Sequence, residues 1–228
     1  MKHSRFYHGA LLLLSVLPLL MLLFFWRRLP AQVPMHWDLG GHVTYGGKGG
    51  LIGLAALNPI LAVLFYLLPK IDPRRENYRR FRRQYEGVIL AILLFMVGMV
   101  AIVISEALRP GRLSVSLMVI LLIGLLFMLL GNSLPKVKNN FFMGFRTPWT
   151  LSSPEIWYKT HRLAGWMMVG SGALMLCTLP LKSEYVQFAV VLVVTVLMVA
   201  IPFLMSYYWF RKASATGESD KEEDGTCS

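Results

Sequence analysis

Six long apolar runs restrict what this chain can fold into. A helix that crosses the hydrocarbon core of a bilayer needs roughly 20 mostly apolar residues. Only 15% of the 228 residues are charged, whereas soluble domains carry about 25%. The sequence therefore predicts an all-α, polytopic transmembrane helix bundle with six predicted spans. These spans cover residues 9–26, 51–68, 87–108, 114–130, 163–179 and 185–210.

The first run could instead be a secretory signal, since Lys2 and Arg5 precede it. It is longer than a usual signal core, Arg27 and Arg28 follow it, and no A-x-A cleavage site is evident. We therefore interpret this run as a span.

Basic residues are distributed unevenly over the segments between the spans. Lys and Arg concentrate in the cytoplasmic loops of membrane proteins, and most of the 23 in this chain fall on one predicted side. Their distribution predicts that both termini are cytoplasmic, that residues 27–50 lie outside and that residues 131–162 lie inside. The net charge of +11 then reflects topology, so no direct contact with nucleic acid is expected.

The predicted organisation has four parts. Residues 1–68 form an N-terminal two-span unit, residues 69–86 a basic cytoplasmic loop, and residues 87–210 a four-span unit. The last unit contains a motif loop at 131–162, and residues 211–228 are predicted to be a disordered acidic tail, because they are polar and lack apolar periodicity. Close helix packing is expected at Gly165, Gly170 and Gly172.

The predicted outer loop carries His36, Asp38 and His42. Imidazole and carboxylate groups can bind a divalent metal, but no fourth ligand or general base is evident, so we predict no metal and no other cofactor. The simpler interpretation is a structured loop in which Asp38 forms an Asx-turn, with Trp37 and Tyr45 at the membrane interface.

The basic loop places Tyr78, Phe81 and Tyr85 at a spacing that shares one helix face. Arginines occupy the other faces, which is typical of a juxtamembrane amphipathic helix against anionic lipid. The alternative is that these charges serve only to hold the loop inside the cell.

The motif loop has the densest set of polar and aromatic residues; its first part reads GNSLPKVKNNFFMGFRTPWTLSSPEIW. Gly144 permits a backbone conformation that other residues resist. Arg146 can bind a carboxylate or phosphate, or stack on Trp149. Such density predicts a specific loop structure rather than a solvated connector. No nucleophile has an evident base nearby, so no enzyme and no catalytic residue are predicted.

A helix start is predicted at the end of this stretch. Ser153 suits the N-cap and Pro154 the first helical position. Glu155 and Lys159 are spaced for an i,i+4 ion pair, and Trp157 lies four residues before His161 on one face.

At these residues the chain resembles the bacterial SdpI-like (SdpI/YfhL) integral membrane proteins. Their motif is similar to G-N-x-x-x-K-x-x-x-N-x-x-x-G-x-R-T-P-W-T-x-x-x-x-x-x-W. The residues that match it are Gly131, Asn132, Lys136, Asn140, Gly144, Arg146, Thr147, Pro148, Trp149, Thr150 and Trp157, and His161 and Arg162 continue the match. The outer loop resembles the N-terminal domain of unknown function that often accompanies this family, through Pro34, His36, Trp37, Asp38 and Gly40.

The resemblance implies a multi-pass protein of the bacterial inner or plasma membrane that gives immunity to a secreted peptide toxin and takes part in signal transduction. It implies an extracytoplasmic binding surface, for a peptide toxin, at Pro34, His36, Trp37, Asp38 and Gly40. It implies a cytoplasmic binding surface, for a repressor, at Asn132, Lys136, Asn140, Gly144, Arg146, Thr147, Pro148, Trp149, Trp157, His161 and Arg162. Membrane lipid is the other expected partner.

Two alternative functions remain open. A membrane transporter or lipid flippase would use an ionisable residue within a span, and Glu106, which could instead pair with Arg109, is the main candidate. A metal-dependent membrane enzyme acting on envelope lipid would hold its metal at His36, Asp38 and His42.

Overall fold

The computed structural model describes residues 5–38, 42–181 and 183–224, with side chains described as far as residue 215. The helices and strands, in chain order, are α1 (Arg5–Phe25), β1 (Gln32–Trp37), β2 (Val43–Gly47), α2 (Gly50–Ile71), a 3-10 turn (Arg75–Arg79), α3 (Arg82–Leu108), α4 (Val115–Ser133), a second 3-10 turn (Leu134–Lys136), α5 (Pro148–Ser152), α6 (Pro154–Cys177) and α7 (Glu184–Asp224).

Five of these helices are long and apolar enough to cross a membrane, namely α1, α2, α3, α4 and α7 as far as Ala215. The remaining predicted span, at 163–179, lies mostly in α6, which is polar at its start and becomes continuously apolar only from Leu163, so its apolar part is short for a span. Nevertheless α6 packs along both α4 and α7. The multi-pass helical architecture is confirmed, the count of six spans is not, and the cytoplasmic position of the termini stays a prediction.

The long helices alternate in direction, so the bundle has two ends with different connections. We call one the hairpin end, because it carries β1 and β2. The other is the motif end, which carries residues 72–81 and the motif loop 131–162. Each end has its own hydrophobic cluster. Val33 and Leu51 belong to the one at the hairpin end, and Tyr78 and Trp157 to the one at the motif end.

The hairpin itself is a correction to the all-α prediction. β1 and β2 pair antiparallel from Gln32 with Gly47 to Trp37 with Val43, with an irregularity near Pro34. Val33 is fully buried against residues of α1, α2 and α3, which anchors the hairpin on the bundle. The strands were not predicted because they are short and rich in Gly and Pro, which are depleted in strands.

The C-terminal segment also differs from the prediction of a disordered tail over 211–228. Helix α7 continues to Asp224, and residues 225–228 lie outside the described residues. Much of the extension consists of Arg, Lys, Ala and Glu, which have high helix propensity. Adding such residues to an existing helix avoids the cost of nucleation.

The basic loop is not one amphipathic helix, because the 3-10 turn at Arg75–Arg79 is followed by α3, which begins at Arg82. Tyr78, Phe81 and Tyr85 therefore do not share a face of one helix, but they do lie together. All three side chains are buried in one cluster, and their ring centroids lie 5.0 to 6.3 Å apart.

Glycines bring α4 and α6 into close contact. A Cβ on Gly165 would lie 2.7 Å from the carbonyl oxygen of Gly131, and one on Gly172 would lie 2.5 Å from that of Gly124. The predicted packing role is therefore confirmed for Gly165 and Gly172. It is wrong for Gly170, where a Cβ would meet nothing within 4 Å.

Candidate functional site

Asn140 organises the turn at the centre of the motif loop. Its fully buried side chain accepts hydrogen bonds at Oδ1 from the backbone N–H groups of Phe142 (2.9 Å) and Met143 (2.7 Å). Its Nδ2 donates to the carbonyls of Lys138 (2.9 Å) and Met143 (3.1 Å). The amide thus takes the place of the backbone partners that a buried turn needs.

A buried carboxylate joins the motif loop to the basic loop. Asp72 is 2% exposed, and its Oδ2 accepts from the Tyr78 hydroxyl and from the backbone N–H of Phe141, both at 2.9 Å. Its Oδ1 accepts from the backbone N–H of Arg74 at 2.7 Å. Burial, and then the neighbouring Asp72 carboxylate, raises the pKa of Tyr78 well above its ordinary value. The phenol therefore stays protonated and keeps donating.

Two further side chains of the basic loop reach the motif loop. The Arg74 guanidinium donates to Asn139 Oδ1 and to the carbonyl of Leu151 (3.1 Å), and it lies over the Phe141 ring. Asn77 Nδ2 donates to the backbone carbonyl of Asn139 at 2.7 Å. Sequence reasoning missed this network, and the one signal for it was that Asp72 and Asn77 interrupt an otherwise basic stretch.

His161 is a buried, neutral part of the loop's framework. Its Nδ1 lies 2.8 Å from the carbonyl of Trp157, and its Nε2 accepts from the backbone N–H of Phe145 at 3.1 Å. Because Nε2 must accept, the proton is on Nδ1. The ring stacks on Trp157 with 3.9 Å between centroids. Burial lowers the pKa of His161 to about 4.

Gly144 is required beside this imidazole for two reasons. Its φ of +106° lies in the region that favours glycine. A Cβ at this position would lie 2.1 Å from His161 Nε2. On the other side of the imidazole, the Trp157 indole donates to the carbonyl of Val137 at 2.9 Å, which holds the start of the motif loop against α6.

Helix α5 docks the motif loop on α7. Thr147 and Thr150 form a capping box at the start of α5, and the Thr147 hydroxyl lies 3.3 Å from that of Ser206. The Trp149 ring contacts Phe203 and Tyr207, with centroids 5.5 and 5.0 Å away. Among the described residues, the ring partners of Trp149 are these two aromatic side chains, and Arg146 does not stack on it.

Arg146 instead folds back on the loop and donates to the carbonyl of Phe141 at 2.5 Å. The predicted helix start downstream is confirmed, since Ser153 caps α6 by accepting from the backbone N–H of Ile156. The predicted ion pair is confirmed too, with 2.5 Å between Lys159 Nζ and Glu155 Oε1. The Lys159 ammonium lowers the pKa of Glu155.

The predicted binding residues of the motif loop therefore fall into two groups. The side chains of Asn140, Thr147, Trp157 and His161 are buried and bonded within the protein, and Gly144 and Trp149 shape and dock the loop. The residues whose side chains are exposed at the surface are Asn132, Lys136, Arg146, Pro148 and Arg162.

At the hairpin end, His36, Trp37 and Asp38 line a cavity of about 860 Å³ that we call the hairpin-end groove. Its wall comes from α3, α4 and α7 and is mostly apolar. The residues of this wall include Met99, Val119, Ile123, Glu184, Gln187 and Phe188. Of the other predicted outer residues, Pro34 is buried and Gly40 lies outside the described residues.

Asp38 and His42 of the outer loop contact each other. Asp38 Oδ1 accepts from the backbone N–H of His42 (2.8 Å), and its Oδ2 lies 3.0 Å from His42 Nδ1. The predicted Asx-turn would involve Gly40, which lies outside the described residues. Within residues 5–38, 42–181 and 183–224, no group of three or more His, Cys, Asp or Glu side chains could hold a metal ion.

Glu106, the candidate transport residue, lies near the end of α3 and bonds to the turn that follows this helix. Its Oε1 accepts from the backbone N–H of Gly111 at 2.7 Å. The expected pairing with Arg109 is wrong, because the carboxylate turns to the main chain of the tight turn at Gly111, where φ is +75°.

Comparisons with known proteins match both ends of the bundle. The model of the SdpI/YfhL protein family matches residues 136–207, and that of the Domain of unknown function (DUF1648) matches residues 13–58. The chain is SdpI-like. The Immunity protein SdpI of Bacillus subtilis (strain 168) is 23% identical over 198 residues, which is 84% of this chain and 89% of that protein. No solved structure matches.

The two matched ranges divide the SdpI-like chain in a way that agrees with its two ends. The range 13–58 contains the whole β-hairpin, and the range 136–207 contains most of the motif loop and the part of α7 on which α5 docks. The basic-loop residues Asp72, Arg74 and Asn77 lie in neither range, although they hold the motif loop in place.

Proposed function

We propose that this SdpI-like chain is an immunity and signal-transduction protein of the bacterial plasma membrane that gives resistance to a secreted peptide toxin. The hairpin-end groove carries this proposal, because it unites the predicted outer residues His36, Trp37 and Asp38 in a cavity open beside the helices. The similarity over 84% of the chain to a protein named for immunity supports it.

The groove suits an amphipathic peptide. Met99, Val119, Ile123 and Phe188 offer an apolar wall to apolar side chains. At the rim, the carboxylates of Asp38 and Glu184 favour a peptide that carries positive charge.

Gln187 supplies a hydrogen-bond acceptor inside the groove. This side chain is 2% exposed, and its Nε2 donates to the carbonyls of Thr178 (3.1 Å) and Leu181 (2.8 Å). Its Oε1 accepts no hydrogen bond from the described part of the chain. Because this oxygen is buried, a backbone N–H of a bound peptide would reach it only through a shift at the start of α7, and such a bond is favourable because a buried unpaired acceptor is costly.

Helix α7 offers a route from the groove to the motif end. Gln187 lies near its start, and Phe203, Ser206 and Tyr207 contact α5 further along. We infer that a cytoplasmic regulator docks beside α5 at the exposed Arg146 and Pro148. A shift of α7 on toxin binding would change this surface, provided that the toxin and the regulator prefer different arrangements of the helices.

Protection of sensitive cells tests the proposed immunity. A toxin-sensitive bacterium expressing the chain is challenged with conditioned medium from the bacterium that encodes it, with protease-treated medium as the negative control. Val119→Trp fills the groove, and Leu125→Trp places the same side chain on an exposed position of α4 outside it. We expect protection by the wild type and by Leu125→Trp, and its loss in Val119→Trp at an equal amount of protein in the membrane.

Two results would contradict the proposal. Cells expressing the wild-type chain would be killed as readily as cells without it, or Val119→Trp would protect as well as Leu125→Trp. The second result alone would leave immunity standing and remove the groove as its site.

A further inference from the structure

A second cavity, of about 580 Å³, lies at the motif end between the residues that precede α3, the end of α4 and the first half of α6. Four cationic side chains line it, and all four are exposed. They are Arg80, Lys136, Lys138 and Arg162. No Asp or Glu lines it among the residues whose side chains are described. We call it the basic cavity.

Among the side chains that the structure describes, the carboxylates at the motif end bind other groups, including Glu86, which lies 3.1 Å from Arg82. Glu155 pairs with Lys159, Glu76 pairs with Arg79 at 3.4 Å, and Asp72 accepts from Tyr78 and two backbone N–H groups. Within the described ranges, none of the four cations of the basic cavity forms an ion pair. Four like charges around one cavity repel one another unless an anion lies between them, so the arrangement favours an anionic ligand.

The other wall of the basic cavity is apolar. The change from cationic to apolar lining occurs along a single face of α6. Tyr158, Arg162, Trp166 and Val169 follow one another at helical spacing on that face. Trp166 is 69% exposed, and an exposed Trp on a helix of a membrane protein is typical of the membrane interface. The cavity therefore has a cationic mouth at the motif end and an apolar floor toward the middle of the bundle.

Close packing of α4 on α6 forms this floor. Gly131 and Gly165, where the two helices approach most closely at this level, both line the cavity together with Pro135. Asn132 adds an amide at the mouth, which can donate a hydrogen bond to an oxygen of an anion.

We propose that the basic cavity binds the phosphate group of an anionic phospholipid. Arg80 and Arg162 bind the phosphate oxygens through their planar guanidinium groups, and Lys136 and Lys138 add charge. The acyl chains extend along Trp166 and Val169. A headgroup with a phosphate monoester, which carries nearly two negative charges at neutral pH, fits four cations better than a zwitterionic one. The inference does not depend on the proposed immunity function, and its test uses a different measurement.

Lipid binding to the purified full-length chain tests the proposal. The protein in an uncharged detergent is titrated with dioctanoyl phosphatidic acid, dioctanoyl phosphatidylcholine and inorganic phosphate, and binding is followed by calorimetry. We expect phosphatidic acid to bind at least about tenfold more tightly than either of the others, because only it combines a phosphate dianion with acyl chains.

Paired variants locate the binding site. Lys136→Gln with Arg162→Gln removes two cations of the basic cavity, and each is worth roughly fivefold in affinity for anionic lipid, so we expect about 25-fold weaker binding. Arg79→Gln with Lys159→Gln removes the same net charge from the same end but outside the cavity, and we expect affinity within about twofold of the wild type. Trp166→Ala weakens binding of phosphatidic acid without changing that of inorganic phosphate.

Three outcomes would overturn the proposal. Equal affinity for phosphatidylcholine and phosphatidic acid would show that the charge of the headgroup does not determine binding. Equal affinity for inorganic phosphate would make the cavity a site for a free anion rather than a lipid. Equal losses in the two double variants would show that binding follows the overall surface charge. Because the comparison of ligands uses the wild-type chain, it holds even if one variant fails to fold.

Discussion

The two ends of this SdpI-like chain carry loops that are held in opposite ways. The hairpin is held by main-chain pairing and by Val33, and its side chains His36 and Asp38 stay exposed. The motif loop is held by buried side chains such as Asn140 and His161, which bond to its main chain. Polar residues in a dense motif can thus serve the fold of the loop, whereas those on a plain hairpin stay at the surface.

The largest expected effect on stability contrasts two glycines. Gly144→Ala forces a Cβ against His161 Nε2 in a backbone region that disfavours side chains, and we expect unfolding to become easier by about 4 kcal/mol. Gly47→Ala, on the hairpin, meets nothing within 4 Å and should change stability by less than about 0.5 kcal/mol. Thermal unfolding in detergent measures both, and equal losses would contradict the contrast.

Acidification should destabilise the motif end through His161. Its folded pKa of about 4 lies below the ordinary 6.5, so between these values the unfolded state binds a proton that the folded state does not. Stability is therefore full above pH 6.5 and falls by about 3 kcal/mol as the pH drops to 4. His161→Asn should abolish that slope, while His42→Asn on the hairpin should keep it. A slope unchanged in His161→Asn would assign it to other groups.

Asp72 at the motif end and Asp38 at the hairpin end offer a smaller contrast in stability. Asp72→Asn replaces one acceptor oxygen of a buried carboxylate by a donor, so one of its three hydrogen-bond donors loses its partner, and we expect a loss of about 2 kcal/mol. Asp38→Asn affects an exposed pair with His42 and should cost less than about 1 kcal/mol. Denaturant unfolding of the two variants checks the order, and a larger loss for Asp38→Asn would reverse the comparison.

The smallest expected effect on stability is that of His36→Ala, because this side chain is exposed at the rim of the hairpin-end groove. We expect a change within about 0.5 kcal/mol together with reduced protection in the challenge with conditioned medium. Full protection by this variant would take His36 out of the recognition surface. A large loss of stability would instead show that His36 supports the fold of the hairpin, as the buried side chains of the motif loop support that loop.

Features that depend on neighbours in the sequence were predicted well. The apolar runs, the cap at Ser153 and the pair of Glu155 with Lys159 each involve residues within a few positions of one another, so spacing alone reveals them. The start of the membrane span in α6 was harder to predict, because the polar first half and the apolar second half of α6 form one continuous helix.

Features that depend on distant segments were missed. The hydrogen bond from Phe141 to Asp72 joins residues 69 positions apart, and nothing local to either one specifies the other. An unusual backbone conformation at Gly144 was expected, but the second reason for glycine there, the adjacent imidazole of His161, could be seen only in the fold. Trp149 was considered as a partner for Arg146 because the two are near in sequence, whereas α7 supplies its actual neighbours.

The link through Asp72 has a consequence for how such genes can be divided. The segments that match the two family models are joined by a stretch that matches neither, yet Asp72 and Arg74 in that stretch bind the motif loop. A gene cut just before the third helix, α3, would therefore encode a second piece with an unsatisfied N–H at Phe141 and no guanidinium at Leu151. The two modules can be told apart by their sequences. A gene must nevertheless carry the stretch between them for the motif loop to keep these bonds.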